Sequence, residues 1–175
     1  MMNLKKKHKS ISAKSAISLI CGLVLVFLSF SVYSQEHPPR PLQVSVFQNL
    51  SFGAVIQGAL GGQVIIDPQG SRSISGDIIP VNMGYTYFPA IFDVEAIPGS
   101  LITIANGSDI TLNGNNGGTL TMRIGTSIPT SPFVATKNPP FRNQVRVGGT
   151  LYVGNSIANP SGNYIGFFEV TFVQQ

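Results

Sequence analysis

Few side chains in this 175-residue chain have the chemistry to act on a substrate. The histidines are His8 and His37; cleavage of the leader described below would leave only His37, in a proline-rich segment expected to be mobile. A Ser-His-Asp triad or a histidine-based metal site therefore has nothing to build on. Asp93 and Glu95 alternate on one strand, about 7 Å apart by strand rise, which is the spacing of an acid pair or a shared cation. Without a cleft residue to shift a carboxyl pKa, they read better as the solvated face of the strand. Asp109 with Asn113, Asn115 and Asn116 offers oxygens to calcium, but one carboxylate is few for that ion, and turn-forming asparagines are the simpler account. Arg142 and Arg146 could hold an anion or lie on a solvated strand. The best ligand-contact cluster is Tyr85, Tyr87 and Phe88 beside Asn82, whose rings could stack on a sugar or cap one end of a sheet. The reading is of a chain with no catalytic residues, no metal ligands and no cofactor.

The first thirty-odd residues set the compartment. Lys5, Lys6, Lys7, Lys9 and Lys14 precede a nearly unbroken apolar run from Ala16 to Val32. Val32 and Ser34 stand at −3 and −1 of a cut after Ser34, the signature of a cleaved secretory signal over residues 1–34. The run is about 17 residues, short for a membrane span, and no charged stop-transfer flank follows. Cys21 lies inside it, so the exported chain would hold no cysteine and no disulfide. Six basic side chains then face seven acidic ones, a formal balance of −1, although the whole chain carries +4. The sequence pI of 9.4 thus belongs to the leader. No basic patch remains for nucleic acid.

The elements that must position the aromatic cluster are strands. Residues 35–41 (QEHPPRP) form a proline-rich leader that cannot join a sheet interior. Over residues 42–175, short segments separated by Gly, Pro and Asn alternate apolar and polar side chains. Leu42, Val44 and Val46 mark a half-buried first strand, or a strand donated to a neighbour. Gln63–Ile66 precedes a turn at Asp67-Pro68-Gln69-Gly70. Ser71–Ser75 and Ile78–Val81 flank a turn at Gly76-Asp77. Ala90, Phe92 and Val94 face inward. Asn106-Gly107 predicts a hairpin between Leu101–Ala105 and Ile110–Leu112. Leu120, Met122 and Ile124 alternate again, and residues 125–143 read as a long loop with at most one short strand. Val145–Val153 carries a kink at Gly148-Gly149, Asn159-Pro160-Ser161-Gly162 is a turn, and Tyr164–Val173 is the longest strand. The pattern predicts an all-β protein, one immunoglobulin-like antiparallel β-sandwich of about 7–10 short strands.

Several stretches carry a resemblance. Leu50-Ser51-Phe52-Gly53, Pro68-Gln69-Gly70-Ser71-Arg72-Ser73 and Ala90-Ile91-Phe92-Asp93-Val94 come first. Val147-Gly148-Gly149-Thr150-Leu151-Tyr152-Val153-Gly154 follows, and Gly162-Asn163-Tyr164-Ile165-Gly166-Phe167-Phe168-Glu169-Val170-Thr171-Phe172 closes the series. Together they resemble the exported bacterial domain-of-unknown-function family 4402, and more loosely the spore-coat-U-like and chaperone–usher pilin subunits. The resemblance implies a sandwich with a structural or adhesive surface role and carries over no catalytic residue. Many pilin-like relatives keep cysteines that staple the sandwich, and residues 35–175 hold none.

Two expectations of function follow. The first is an exported, non-enzymatic, pilin-like structural or adhesive subunit, partnered with itself or related subunits through strand pairing. The second is a stand-alone carbohydrate- or protein-binding module. The expected location is the periplasm, cell surface or exterior, with no membrane span after cleavage and no nucleic-acid partner.

Overall fold

A computed structural model describes residues 41–175, and among them every regular element is a strand. The expected signal peptide and all of the proline-rich leader except Pro41 lie outside the described residues. In chain order the strands are β1 (Gln43–Gln48), β2 (Ser51–Phe52), β3 (Ala54–Ile66), β4 (Arg72–Val81), β5 (Tyr87–Phe88), β6 (Ala90–Glu95) and β7 (Leu101–Asn106). Then come β8 (Ile110–Gly114), β9 (Thr119–Ile128), β10 (Phe133–Val134), β11 (Asn143–Val153), β12 (Tyr164–Ile165) and β13 (Val170–Gln174). Nine have five residues or more, and four are two-residue pairings. They form an eight-stranded sheet, a three-stranded sheet ordered β10-β7-β13 and a small β2–β5 ribbon. The all-β antiparallel sandwich expected from the alternation is the fold observed.

The large sheet is organised by β11. One flank of β11 pairs with β9. The other is divided: Asn143–Val147 pairs with β6 and Gly149–Val153 with β3. Gly148 stands where the partner changes, and a Cβ there would run into the Ile66 carbonyl oxygen. A Cβ on Gly149 would lie 2.8 Å from Leu50 Cδ2. The glycine pair therefore lets β3, β9 and β11 meet the side chains of Leu50 and Phe52 at one point.

Between the sheets lies an apolar core. From the large sheet it takes Phe92 and Val94, Leu120, Met122 and Ile124, and Val145, Val147 and Leu151. From the small sheet come Ile102, Ile104 and Phe133. Phe92 of β6 packs 5.5 Å from Phe172 of β13 and edge-on at 6.3 Å from Phe168, which places β13 over β6. Each such side chain contributes about 1.5–3 kcal/mol on burial. The alternation in Ala90–Glu95 and Leu120–Ile124 is borne out.

Several local expectations are corrected. Asn106-Gly107 does not close a hairpin: β7 pairs with β13 and β10, and β8 pairs with β9. The chain instead crosses between sheets after Asn106, where the Gly107 N–H donates to the Glu169 carbonyl at 2.9 Å. Gly76-Asp77 is no turn, because β4 runs through it. Gly76, at φ 81°, faces Gly62 beside a register shift between Gln57 and Gly62, which is a bulge in a long β3–β4 ribbon. Hence β3 has 13 residues where only its last four were expected. Tyr164–Val173 is two strands in different sheets, β12 on β8 and β13 on β7. The break falls at Gly166, where a Cβ would lie 2.9 Å from the Thr111 carbonyl oxygen. Residues 125–128, expected in a loop, extend β9, and β10 is the one short strand that follows.

Candidate functional site

The aromatic cluster lies where the small ribbon meets β4. Gly53, at φ 73°, turns the chain between β2 and β3, a conformation open to glycine and strained for other residues. That turn lets Ser51 and Phe52 pair with Phe88 and Tyr87. The Ser51 hydroxyl donates to the Thr86 carbonyl at 2.7 Å and ties down the loop. Arg72, the first residue of β4, then reaches under the ribbon. Its Nη1 donates to the Phe52 and Ala54 carbonyls at 3.3 and 3.4 Å, and its guanidinium carbon sits 4.3 Å from the Tyr87 ring centroid.

Beside this stack opens a cleft of about 570 Å³, lined by Arg72, Pro80, Asn82, Tyr85, Thr86 and Tyr87 among others. Tyr85 is 60% and Tyr87 42% exposed. Phe88 is half-buried and does not line the cleft. Of the three aromatics expected to meet a ligand, the structure thus brings Tyr85 and Tyr87 together with Asn82. Arg72 is the addition that sequence reasoning missed. Its register opposite Tyr87 depends on the bend at Gly53, and neither residue signals the other along the chain.

Most of the other polar groups singled out in the sequence are engaged locally. Arg123 grips Asp109 through Nε and Nη2 at 3.0 and 2.8 Å, so the one carboxylate of the possible calcium cluster is engaged. That hydrogen bond holds the Asp109 carboxyl below its usual range and raises Arg123. The Asn115 and Asn116 side chains brace the backbone of Asn163 and Ser161. Glu95 faces Arg142 at 3.8 Å, and Arg142 also donates to the Ser45 hydroxyl at 3.2 Å. Asp93 lacks a partner at Oδ1. Asp93 and Glu95 do share the outer face of β6, but each meets different surroundings.

A second candidate is the set of open strand edges. β1 pairs only with β6, and β13 only with β7, among the described residues. Leu42 packs against the core at the entry to β1. The half-buried strand expected here is corrected, for Val44 is 42%, Val46 60% and Phe47 64% exposed. β1 lies on the outer edge of the large sheet, and among the described residues no second sheet covers either of its faces. Neither β1 (QVSVFQ) nor β13 (VTFVQ) carries a charge or a proline. β4, an edge strand of ten residues, contrasts with them: it carries the charged Arg72 and Asp77 and a proline, Pro80, and runs opposite the bulge in β3 between Gln57 and Gly62, features that discourage pairing.

No curated protein and no solved structure matches this chain. One family profile does match, described as Domain of unknown function (DUF4402). It spans residues 42–173, from the entry of β1 to the penultimate residue of β13. Its span takes in both open edges and the Arg72–Tyr87 cleft, and the chain belongs to this family.

Proposed function

We propose that this chain is an exported, non-enzymatic structural or adhesive subunit that associates with further copies through its open strand edges. The observation that carries the reading is the contrast between edges: β4 carries Asp77 and Pro80, whereas β1 and β13 are uncharged, free of proline and, among the described residues, paired on one side only. An unguarded edge presents a row of N–H and C=O groups to any extended chain. Each backbone hydrogen bond so formed contributes about 0.5–1.5 kcal/mol net, and exposed Val44, Val46 and Val173 would add apolar contact. Pairing β1 of one copy with β13 of the next is head-to-tail, and such contacts propagate into filaments unless they close a ring. The secretory pattern of residues 1–34 and the loose pilin likeness support the same reading.

The test uses the absence of cysteine after Cys21. Protein recovered after export would carry Cys at Ser45, in β1, and at Thr171 or Val173, in β13. Strands in register bring such positions within disulfide range. Oxidation should yield a ladder of cross-linked oligomers from the double variants. Monomer alone from every combination, at concentrations where wild type is also monomeric, would refute edge pairing.

A second reading, a binding module for carbohydrate, is favoured by the exposed Tyr85 and Tyr87 beside Arg72.

A further inference from the structure

We propose that the cleft beside Arg72 binds a saccharide carrying a carboxylate. The proposal rests on the binding-module reading and is independent of edge pairing. Two ion pairs occur among the described residues, Arg123–Asp109 and Arg142–Glu95, and Arg72 is in neither. Its Nη1 is held by the carbonyls of Phe52 and Ala54. Its Nε and Nη2 make no hydrogen bond to a described residue. Those two nitrogens form the edge of the guanidinium that matches a carboxylate with two parallel bonds. The Tyr87 ring at 4.3 Å fixes the plane of the fork, so little freedom is lost when an anion docks.

The surroundings select the rest of the ligand. Tyr85 and Tyr87 present exposed rings on which the C–H face of a pyranose can lie. Asn82 and Thr86 supply amide and hydroxyl groups for sugar hydroxyls, and Pro80 gives an apolar wall. The cleft is open to solvent along one side, so a sugar would lie across it with its outer face in water. An extended acidic peptide fits less well. It would add to the β4 edge, where Pro80 lacks the N–H that strand addition needs. A lone cation is also a poor clamp for phosphate, which recruits clustered arginines or a nest of backbone N–H groups.

The probe is a galacturonic acid oligomer, titrated calorimetrically into the full exported chain. Its carboxyl-reduced counterpart, a hexaglutamate peptide and inorganic phosphate form the other arms. The uronate oligomer should bind. Arg72→Gln should weaken it about 10–100-fold, the worth of a charged bidentate contact, and Arg72→Lys should recover only part of the loss. Tyr85→Ala should cost several-fold through lost stacking, whereas Arg146→Gln should change nothing. Hexaglutamate binding as tight as the oligomer's, or phosphate binding that Arg72→Gln abolishes, would overturn the saccharide. Equal binding of the carboxyl-reduced oligomer would overturn the acidic ligand while leaving a carbohydrate module standing. Failure of both sugars to bind at millimolar concentration would remove the module with it. Should Arg72→Gln fail to fold, Tyr85→Ala and the reduced oligomer still decide, since Tyr85 is largely exposed.

Discussion

Asn159 is 4% exposed and locks three strands together, although its sequence context reads only as a turn. Its Oδ1 accepts from the Gly154 N–H at 2.6 Å, just past the end of β11. Its Nδ2 donates to the Thr119 carbonyl at the start of β9, and its own carbonyl accepts from Gln57 of β3. Asn159→Ala removes the two side-chain bonds and leaves the Gln57 contact in place. At about 1 kcal/mol net for each, the cost is about 2 kcal/mol. Asn159→Asp is more informative. The carboxylate still accepts from Gly154 but sets an oxygen against the Thr119 carbonyl, so a buried charge meets a lone pair. The combined cost at neutral pH is about 3 kcal/mol or more. Protonation of the aspartate restores a donor toward Thr119. The folded-state pKa is therefore raised above the unfolded value of about 3.9. Stability from the protonated form is fully present below that value and is lost as pH rises through the folded pKa. Urea unfolding followed by tyrosine fluorescence, at pH 4 and pH 7.5, gives both numbers, with Asn159→Ala as the pH-independent reference. The gap between Asn159→Asp and wild type should shrink at the lower pH relative to that reference. A variant as stable as wild type at pH 7.5, or a gap that does not respond to pH, would refute the lock.

Other consequences can be checked on the same protein. Phe92→Ala opens a cavity against Phe168 and Phe172 and should cost about 3–5 kcal/mol by denaturant titration, a loss that Phe167→Ala, at an exposed ring, should not show. Gly148→Val sets a side chain against the Ile66 carbonyl and should abolish the cooperative unfolding transition seen by circular dichroism. Asp109→Asn removes a solvent-exposed ion pair and should leave the midpoint in 1 M salt indistinguishable from wild type. Because Arg123 depresses the Asp109 pKa, whatever the pair adds is present above the unfolded carboxyl value and disappears as pH falls through the folded one. The small low-salt difference between wild type and Asp109→Asn at neutral pH should therefore shrink as pH falls through the folded value.

What the sequence made legible was whatever lies within one strand. The inward faces of Ala90–Glu95 and Leu120–Ile124 follow from a two-residue period, since a slip of one residue would turn every apolar group to water. Strand partners were less legible, because a turn dipeptide reports a local bend and not the sheet that receives the next strand. Asn106-Gly107 bends the chain, yet β7 and β8 part company there. Gly76 shows the same limit, since a glycine at positive φ serves a bulge as readily as a turn. At the candidate site, Tyr85 and Tyr87 were visible as exposed aromatics in a loop. Arg72 was not, because only the β2–β5 ribbon brings it under Tyr87. The exposure of Val44 and Val46 was hidden for a related reason: alternation marks a strand without saying whether a second sheet covers it.

The most direct test of edge-mediated assembly is SDS electrophoresis of protein recovered after export, with and without heating, comparing wild type with Val46→Lys and Val173→Lys. Both positions are exposed and far from the core, so lysine there charges an edge without opening a cavity. Assembly through these edges predicts an unheated ladder that collapses on heating and is lost or shortened in either variant. A single monomer band from unheated wild type, or a ladder that both lysines leave intact, would contradict it.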